Sequence, residues 1–189
     1  MIRPRSLALA TALLLWTGAT AAQAATWVVD PATSVLGFTG SQSGKPFDGI
    51  FTKWSAKIDY DPANPAAAKV VVTIDTASAT ADEPQKDEAM PESDWFDVAQ
   101  FPQAKFEANG FKPKGGNAFE APSKLTIRGI SKDVVLPFTL AINGDNAHAI
   151  GKLPIIRTDY GVGQGQFADG KTVALEVAVT LDIWAKKAP

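Results

Sequence analysis

Along most of the chain apolar and polar residues alternate with a period of two, the pattern of β-strands that bury one face. Leu36, Phe38 and Gly40 share one face of a first stretch, and Phe47, Gly49 and Phe51 share one face of the next. Trp54, Ala56 and Ile58 follow with a one-residue shift, which predicts a β-bulge at Thr52 or Lys53. Val70, Val72 and Ile74 alternate with Val71, Thr73 and Asp75, and Phe106 lies in a short stretch from Ala104 to Ala108. Leu125 and Ile127 lead into Arg128-Gly129-Ile130-Ser131, after which Val134, Leu136, Phe138, Leu140 and Ile142 occupy one face; this reads as a hairpin. The last stretch is the clearest: Val173, Leu175, Val177, Val179, Leu181 and Ile183 form one uninterrupted hydrocarbon face. At about 3.4 Å per residue it predicts a strand of more than roughly 30 Å, well beyond the usual five or six residues. A tall barrel or sandwich accommodates such a strand.

The polar stretch from Asp82 to Asp97 reads as helical, with Pro84 suited to the first turn, Asp82 or Glu83 to the N-terminus, and Pro91 as an interruption. One or two short turns are expected, with Trp95 and Phe96 packed onto the sheet. The first residues follow a different logic. Arg3 and Arg5, the apolar run Leu7 to Trp16, and Ala22-Gln23-Ala24 form a signal peptide over residues 1–24, whose apolar run is too short to span a bilayer. The expected mature protein is a single domain over residues 25–189, periplasmic or secreted.

Composition narrows the chemistry. The 189 residues are 46% hydrophobic and 20% charged, too apolar for a disordered chain, and loss of Arg3 and Arg5 with the leader takes the formal net charge from −2 to −4. The absence of cysteine excludes disulfides, a thiolate nucleophile, iron–sulfur clusters, cysteine-ligated zinc and covalent c-type haem. One histidine, His148, rules out paired imidazole ligation within the chain, so no metal is expected. An acidic balance without a dense Lys/Arg block argues against nucleic acid as a partner.

The polar residues assemble no reaction. His148 follows Asn143-Gly144-Asp145-Asn146-Ala147 and reads as an exposed turn residue rather than a catalytic base. Asp87, Glu88, Glu92, Asp94 and Asp97 read as a solvated helix and loop rather than the paired carboxylates of a glycosidase. Asp59-Tyr60-Asp61 lacks the glycine and distant glutamate of a calcium loop, and Gly161-Val162-Gly163-Gln164-Gly165-Gln166 has Gln166 where a dinucleotide fingerprint needs its third glycine and is followed by no helical pattern; it reads as a flexible loop. No catalytic residue and no cofactor is assigned. The aromatic and aliphatic stripe leaves two alternatives, because an eight-stranded barrel is just wide enough either to fill with side chains or to hold one small ligand.

Several segments together resemble the YceI-like polyisoprenoid-binding family of exported bacterial proteins. They are Trp27-Val28-Val29-Asp30 with Ser34-Val35-Leu36-Gly37-Phe38; Phe47-Asp48-Gly49-Ile50-Phe51 with Trp54, Ala56, Ile58 and Asp61; Lys86-Asp87 and Ser93-Asp94-Trp95-Phe96-Asp97 with Phe101-Pro102 and Phe106; Leu125-Thr126-Ile127-Arg128-Gly129; and Arg157-Thr158-Asp159-Tyr160-Gly161-Val162-Gly163. Thr33-Ser34 stands where many members have His-Ser, and Lys86-Asp87 where Arg-Asp is common. Gly44-Lys45-Pro46-Phe47 and Ala168-Asp169-Gly170 look like the branch found fused to b-type membrane cytochromes, where a quinone is a natural ligand.

The resemblance implies an all-β fold, an extended lipocalin-like antiparallel barrel of eight strands with a short helical segment. It further implies a pore for an amphiphilic lipid, either a polyprenyl phosphate or a quinone, with no enzymatic activity. Leu36, Phe38, Phe51, Trp54, Ile74, Phe106, Leu125, Phe138, Leu175, Val177 and Val179 are then the candidate pore lining. Lys86, Arg128 and Arg157 are the candidate head-group cations, since phosphate recognition favours charge-assisted donors. A carrier of this kind also implies transient contact with a membrane or membrane protein. The competing expectation is a solid-cored stress-response or structural module that acts through a protein partner.

Overall fold

The computed structural model describes residues 24–189. The leader expected from the sequence lies outside the described residues, apart from Ala24. Among the described residues twelve antiparallel strands and one short α-helix follow in chain order: β1 (Ala25–Val29), β2 (Val35–Gln42), β3 (Lys45–Phe51), β4 (Trp54–Tyr60), β5 (Lys69–Asp75), β6 (Ala79–Thr80), α1 (Pro84–Ala89), β7 (Gln103–Asn109), β8 (Lys112–Gly115), β9 (Ala118–Ile127), β10 (Ile130–Asn143), β11 (Asn146–Ile156) and β12 (Glu176–Lys187). Eight of them close a ring in the order β1-β4-β5-β7-β9-β10-β11-β12, and β12 pairs back onto β1. The expected eight-stranded barrel is therefore present. Strands β2, β3 and β6 continue its wall at one end, and β8 lies against β9.

Closure rests on β12. One edge pairs with β11 along its whole length, Glu176 to Lys186; the other meets β1 through Ala185–Lys187 and β2 through Ala178–Asp182. At the turn between β1 and β2 the Trp184 carbonyl accepts from the Asp30 N–H at 2.8 Å, and Ser34 completes the edge: its hydroxyl accepts from the Trp184 N–H at 2.9 Å and donates to the Trp184 carbonyl at 3.1 Å.

The long final strand is shifted from its expected place. It begins at Glu176 rather than Val173 and runs on to Lys187. Val173 makes an isolated bridge to Gln42, and the Leu175 carbonyl accepts from the Arg157 N–H, so residues 173–175 are tied to irregular partners rather than to the ladder. Nor is the shift after Phe51 a one-residue bulge. Both members of this strand pair break: Thr52 and Lys53 separate β3 from β4, and a turn of 3-10 helix at Thr76–Ser78 separates β5 from β6. Ser78 bonds across the break, its carbonyl accepting from Thr52 N–H and its Oγ from Lys53 N–H. The hairpin at Arg128-Gly129 has a two-residue turn with φ of 49° and 71°, the primed geometry that matches strand twist. The helical segment is one short helix with Pro84 in its first turn, as expected.

Two glycines of the alternating pattern have a packing role. Phe38 pairs with Gly49 and Phe47 with Gly40 across β2 and β3, so each ring lies over a residue with no side chain. A Cβ on Gly49 would fall 2.3 Å from the Phe38 ring. Gly49→Ala is expected to destabilise the protein by about 1–3 kcal/mol, as overpacking does, measured by urea unfolding.

Candidate ligand-binding site

Inward positions of the ring do not fill it. Ala104 and Ala108 on β7, Ala121 on β9, Ala147 and Ala149 on β11, and Ala185 on β12 all point inward, and their methyl groups stop short of the opposite wall. An apolar chamber of about 190 Å³ remains on the barrel axis. Leu36, Phe51, Trp54, Ile74, Phe106, Leu125, Phe138 and Val179 line it, each at a position named from the alternation pattern. Its floor is aromatic: Trp27, Tyr60 and Phe111 close the end of the barrel. Burial pushes the Tyr60 phenol above its ordinary pKa, with Asp61 adding to the shift.

A second chamber of about 270 Å³ continues toward the other end and is lined by Phe38 and Val177, with Phe51, Phe96, Ile127 and Val179 shared between the two. Phe51 sits between Phe38, centroids 5.5 Å apart, and Phe96, 6.0 Å edge to face, so these rings mark the passage. Leu175 corrects the lining assignment: it lies in neither chamber but against Gly170, where a Cβ would come within 2.7 Å of its Cγ. The alanine rows, Trp27, Tyr60, Phe96 and Phe111 were not singled out as lining. The inward small residues at 104, 108, 147 and 149 carried the available signal, since alanine at alternating inward positions leaves room where leucine would fill it.

Polar groups gather at the outer chamber, where Gln42, Glu83, Gln85, Lys86 and Arg157 join the wall. The Lys86 ammonium bridges the Glu83 carboxylate and lies 4.8 Å from the Phe47 ring centroid. Asp87 fixes the helix that presents it: its carboxylate accepts from the Thr80 hydroxyl and the Ala81 N–H, each at 2.7 Å. The Thr80 bond first, then that of Ala81, holds the Asp87 carboxyl below its ordinary pKa.

Both arginines correct the head-group assignment: every Arg157 donor already has a backbone partner, and Arg128 lines neither chamber and has one amino group on backbone carbonyls. Arg157 is 3% exposed, and its five N–H groups meet five carbonyls: Ala174 at 2.9 Å, Val162 at 2.8 Å, Gly163 at 3.0 Å, Val173 at 2.7 Å, and Phe167. Its guanidinium also lies 5.4 Å from the Trp95 ring centroid, and burial lowers its pKa. Arg128 donates to the carbonyls of Ser93 at 2.7 Å and Trp95 at 2.5 Å, with Asp97 at 3.8 Å. Together they pin the two irregular segments that cross the mouth, 91–97 and 161–174. The glycine-rich loop expected to be flexible is thus tied down at Val162, Gly163 and Phe167. His148 also departs from its expected place, standing on β11 rather than in the turn; its imidazole bonds Asp182 at 2.7 Å and stacks on Trp184 with centroids 3.7 Å apart.

The comparisons with known proteins bear directly on this hollow barrel. The family model described as the YceI-like domain matches residues 27–185. The chain belongs to the YceI-like family. A UPF0312 protein of Pseudomonas savastanoi pv. phaseolicola is 34% identical over 143 residues, covering 74% of this chain and 72% of the relative. Among solved structures, BcnA of Burkholderia cenocepacia superposes with a TM-score of 0.81 at 36% identity, over 84% of this chain and 99% of BcnA. A polyisoprenoid binding domain from Saccharophagus degradans, implicated in plant cell wall breakdown, superposes with a TM-score of 0.70 over 86% of this chain and 98% of that one; at 15% identity it shares the fold.

Two outcomes follow for this YceI-like mouth. Arg157→Met, which leaves several buried carbonyls without donors, is expected to cost at least about 3 kcal/mol in urea unfolding. The Asp87 contacts belong to the ionised form, so they are intact above the ordinary carboxylate range and are lost as pH falls through the lowered folded-state value. Hydrogen exchange at the Ala81 amide should accelerate over that acid range beyond its intrinsic pH dependence, and Asp87→Asn should abolish the excess.

Proposed function

We propose that this YceI-like protein is a non-enzymatic periplasmic carrier that sequesters one isoprenoid lipid, its tail along the barrel axis and its head group in the outer chamber. The observation that carries this reading is the apolar inner chamber, walled by alanine, aliphatic and aromatic side chains. At about 25 cal/mol per Å² of apolar surface buried, a hydrocarbon tail gains affinity there without directional chemistry. The polyisoprenoid-binding relative of the same fold supports a lipid of this class.

A quinone fits the outer chamber better than a polyprenyl phosphate. Of the three candidate cations, Arg157 has its donors on backbone carbonyls, Arg128 lines neither chamber, and Lys86 stands beside the Glu83 carboxylate. A phosphate requires several free charge-assisted donors and is repelled by Glu83, whereas a quinone carbonyl needs a single donor such as the Lys86 ammonium. Loading and release imply transient contact with a membrane or membrane protein. The solid-cored alternative has the hollow interior against it.

The test is mass spectrometry of the organic extract from protein exported by its own leader and purified without detergent, beside an unrelated periplasmic control. A stoichiometric isoprenoid quinone is the expected result, absent from folded Leu125→Asp and Phe38→Asp variants. A polyprenyl phosphate would retain the carrier and replace its head group. No lipid in the wild-type extract would overturn the reading.

A further inference from the structure

The floor of the inner chamber differs in origin from its walls. Strand positions build the walls and are fixed by register, whereas Phe111, in the connection between β7 and β8, supplies the centre of the floor. Two consecutive amides hold the chain there: Gly110 N–H donates to the Ala68 carbonyl at 2.7 Å, and Phe111 N–H to the Pro65 carbonyl at 2.8 Å. Gly110 permits this course, with φ of 82° and a Cβ position 2.9 Å from the Ala66 carbonyl oxygen. The Phe111 ring, 8% exposed, then packs across the barrel onto Tyr60 at 5.3 Å and Phe138 at 4.9 Å between centroids.

We infer that Phe111 sets the length of lipid tail that this protein accepts. The inference rests on the carrier reading, with the head group at the outer chamber and the tail directed toward the floor. A tail that just reaches the Phe111 ring fills the chamber while its head stays beside Lys86. A longer tail pushes the head out of the outer chamber, and a shorter one leaves apolar wall uncovered. Because the ring hangs from a connection, shortening its side chain deepens the chamber without breaking the strand ladder. Ala147, inward on β11 at the same end, is the place to shorten it.

The experiment measures affinity for a series of ubiquinones of increasing prenyl tail length, read by quenching of tryptophan fluorescence, since Trp27 and Trp54 line the chamber. Wild type is expected to show an optimum tail length. In Phe111→Ala the optimum should move to a longer tail, with affinity for that tail raised about tenfold over wild type, the worth of roughly two further buried methylene groups. In Ala147→Leu it should move to a shorter tail. Phe111→Leu, with a smaller shift in the same direction as Phe111→Ala, serves if the alanine variant does not fold. An unchanged optimum in folded variants of both positions would overturn the length assignment and leave the carrier reading standing. Wild type that binds no tail of any length would overturn both.

Discussion

The structure depends on β12 being hydrogen bonded along both edges. An open sheet of this length would expose unpaired edges. Here the last strand reaches β11 on one side and β1 and β2 on the other, and the wall is complete. Closing a ring of eight strands fixes how many inward side chains share each level and how wide the interior is. Once the cross-section is set, packing at ordinary interior density requires large residues at nearly every inward position. This chain puts alanine at several of them, so the hollow follows from the ring and not from a loosely packed sheet. An empty apolar cavity costs a few kcal/mol, which a hydrocarbon occupant would recover.

The two ends of the barrel are finished by different physics. At one, aromatic rings from β1, β4 and the β7–β8 connection stack into a floor. At the other, long irregular segments cross the opening, and their carbonyls have no strand to pair with. Buried backbone acceptors need donors, and Arg128 and Arg157 supply them. Arginine suits this position because its planar fork carries five donors on one group and keeps its charge even when buried. The same arrangement leaves Lys86 as the candidate cation at the mouth whose ammonium faces the outer chamber beside a single carboxylate.

These features explain which residues were legible in advance. Phe38, Phe51, Trp54, Ile74, Phe106, Leu125, Phe138, Val177 and Val179 were readable because a strand side chain's face follows from counting by two. Leu175 obeys the same count yet lies outside the chamber, since the ladder starts one residue later and the segment before it is held by Arg157. Phe111 was not readable: it sits outside any alternating stretch, and its inward direction comes from Gly110 and the 65–68 segment folding beneath it. The charge of Arg128 and Arg157 is plain in the sequence, but a charged side chain beside a turn does not by itself reveal whether its donors meet a ligand or the protein's own carbonyls.

The all-β class, the inward faces, the short helix, and a chemistry without thiols or paired imidazoles are written in the order of residues, because these follow from period, composition and local turn rules. Tertiary structure alone decided that the barrel is hollow, where it is floored, and which cations are engaged. Each of those depends on distances across the ring between residues far apart in the chain, and nothing in local periodicity encodes them.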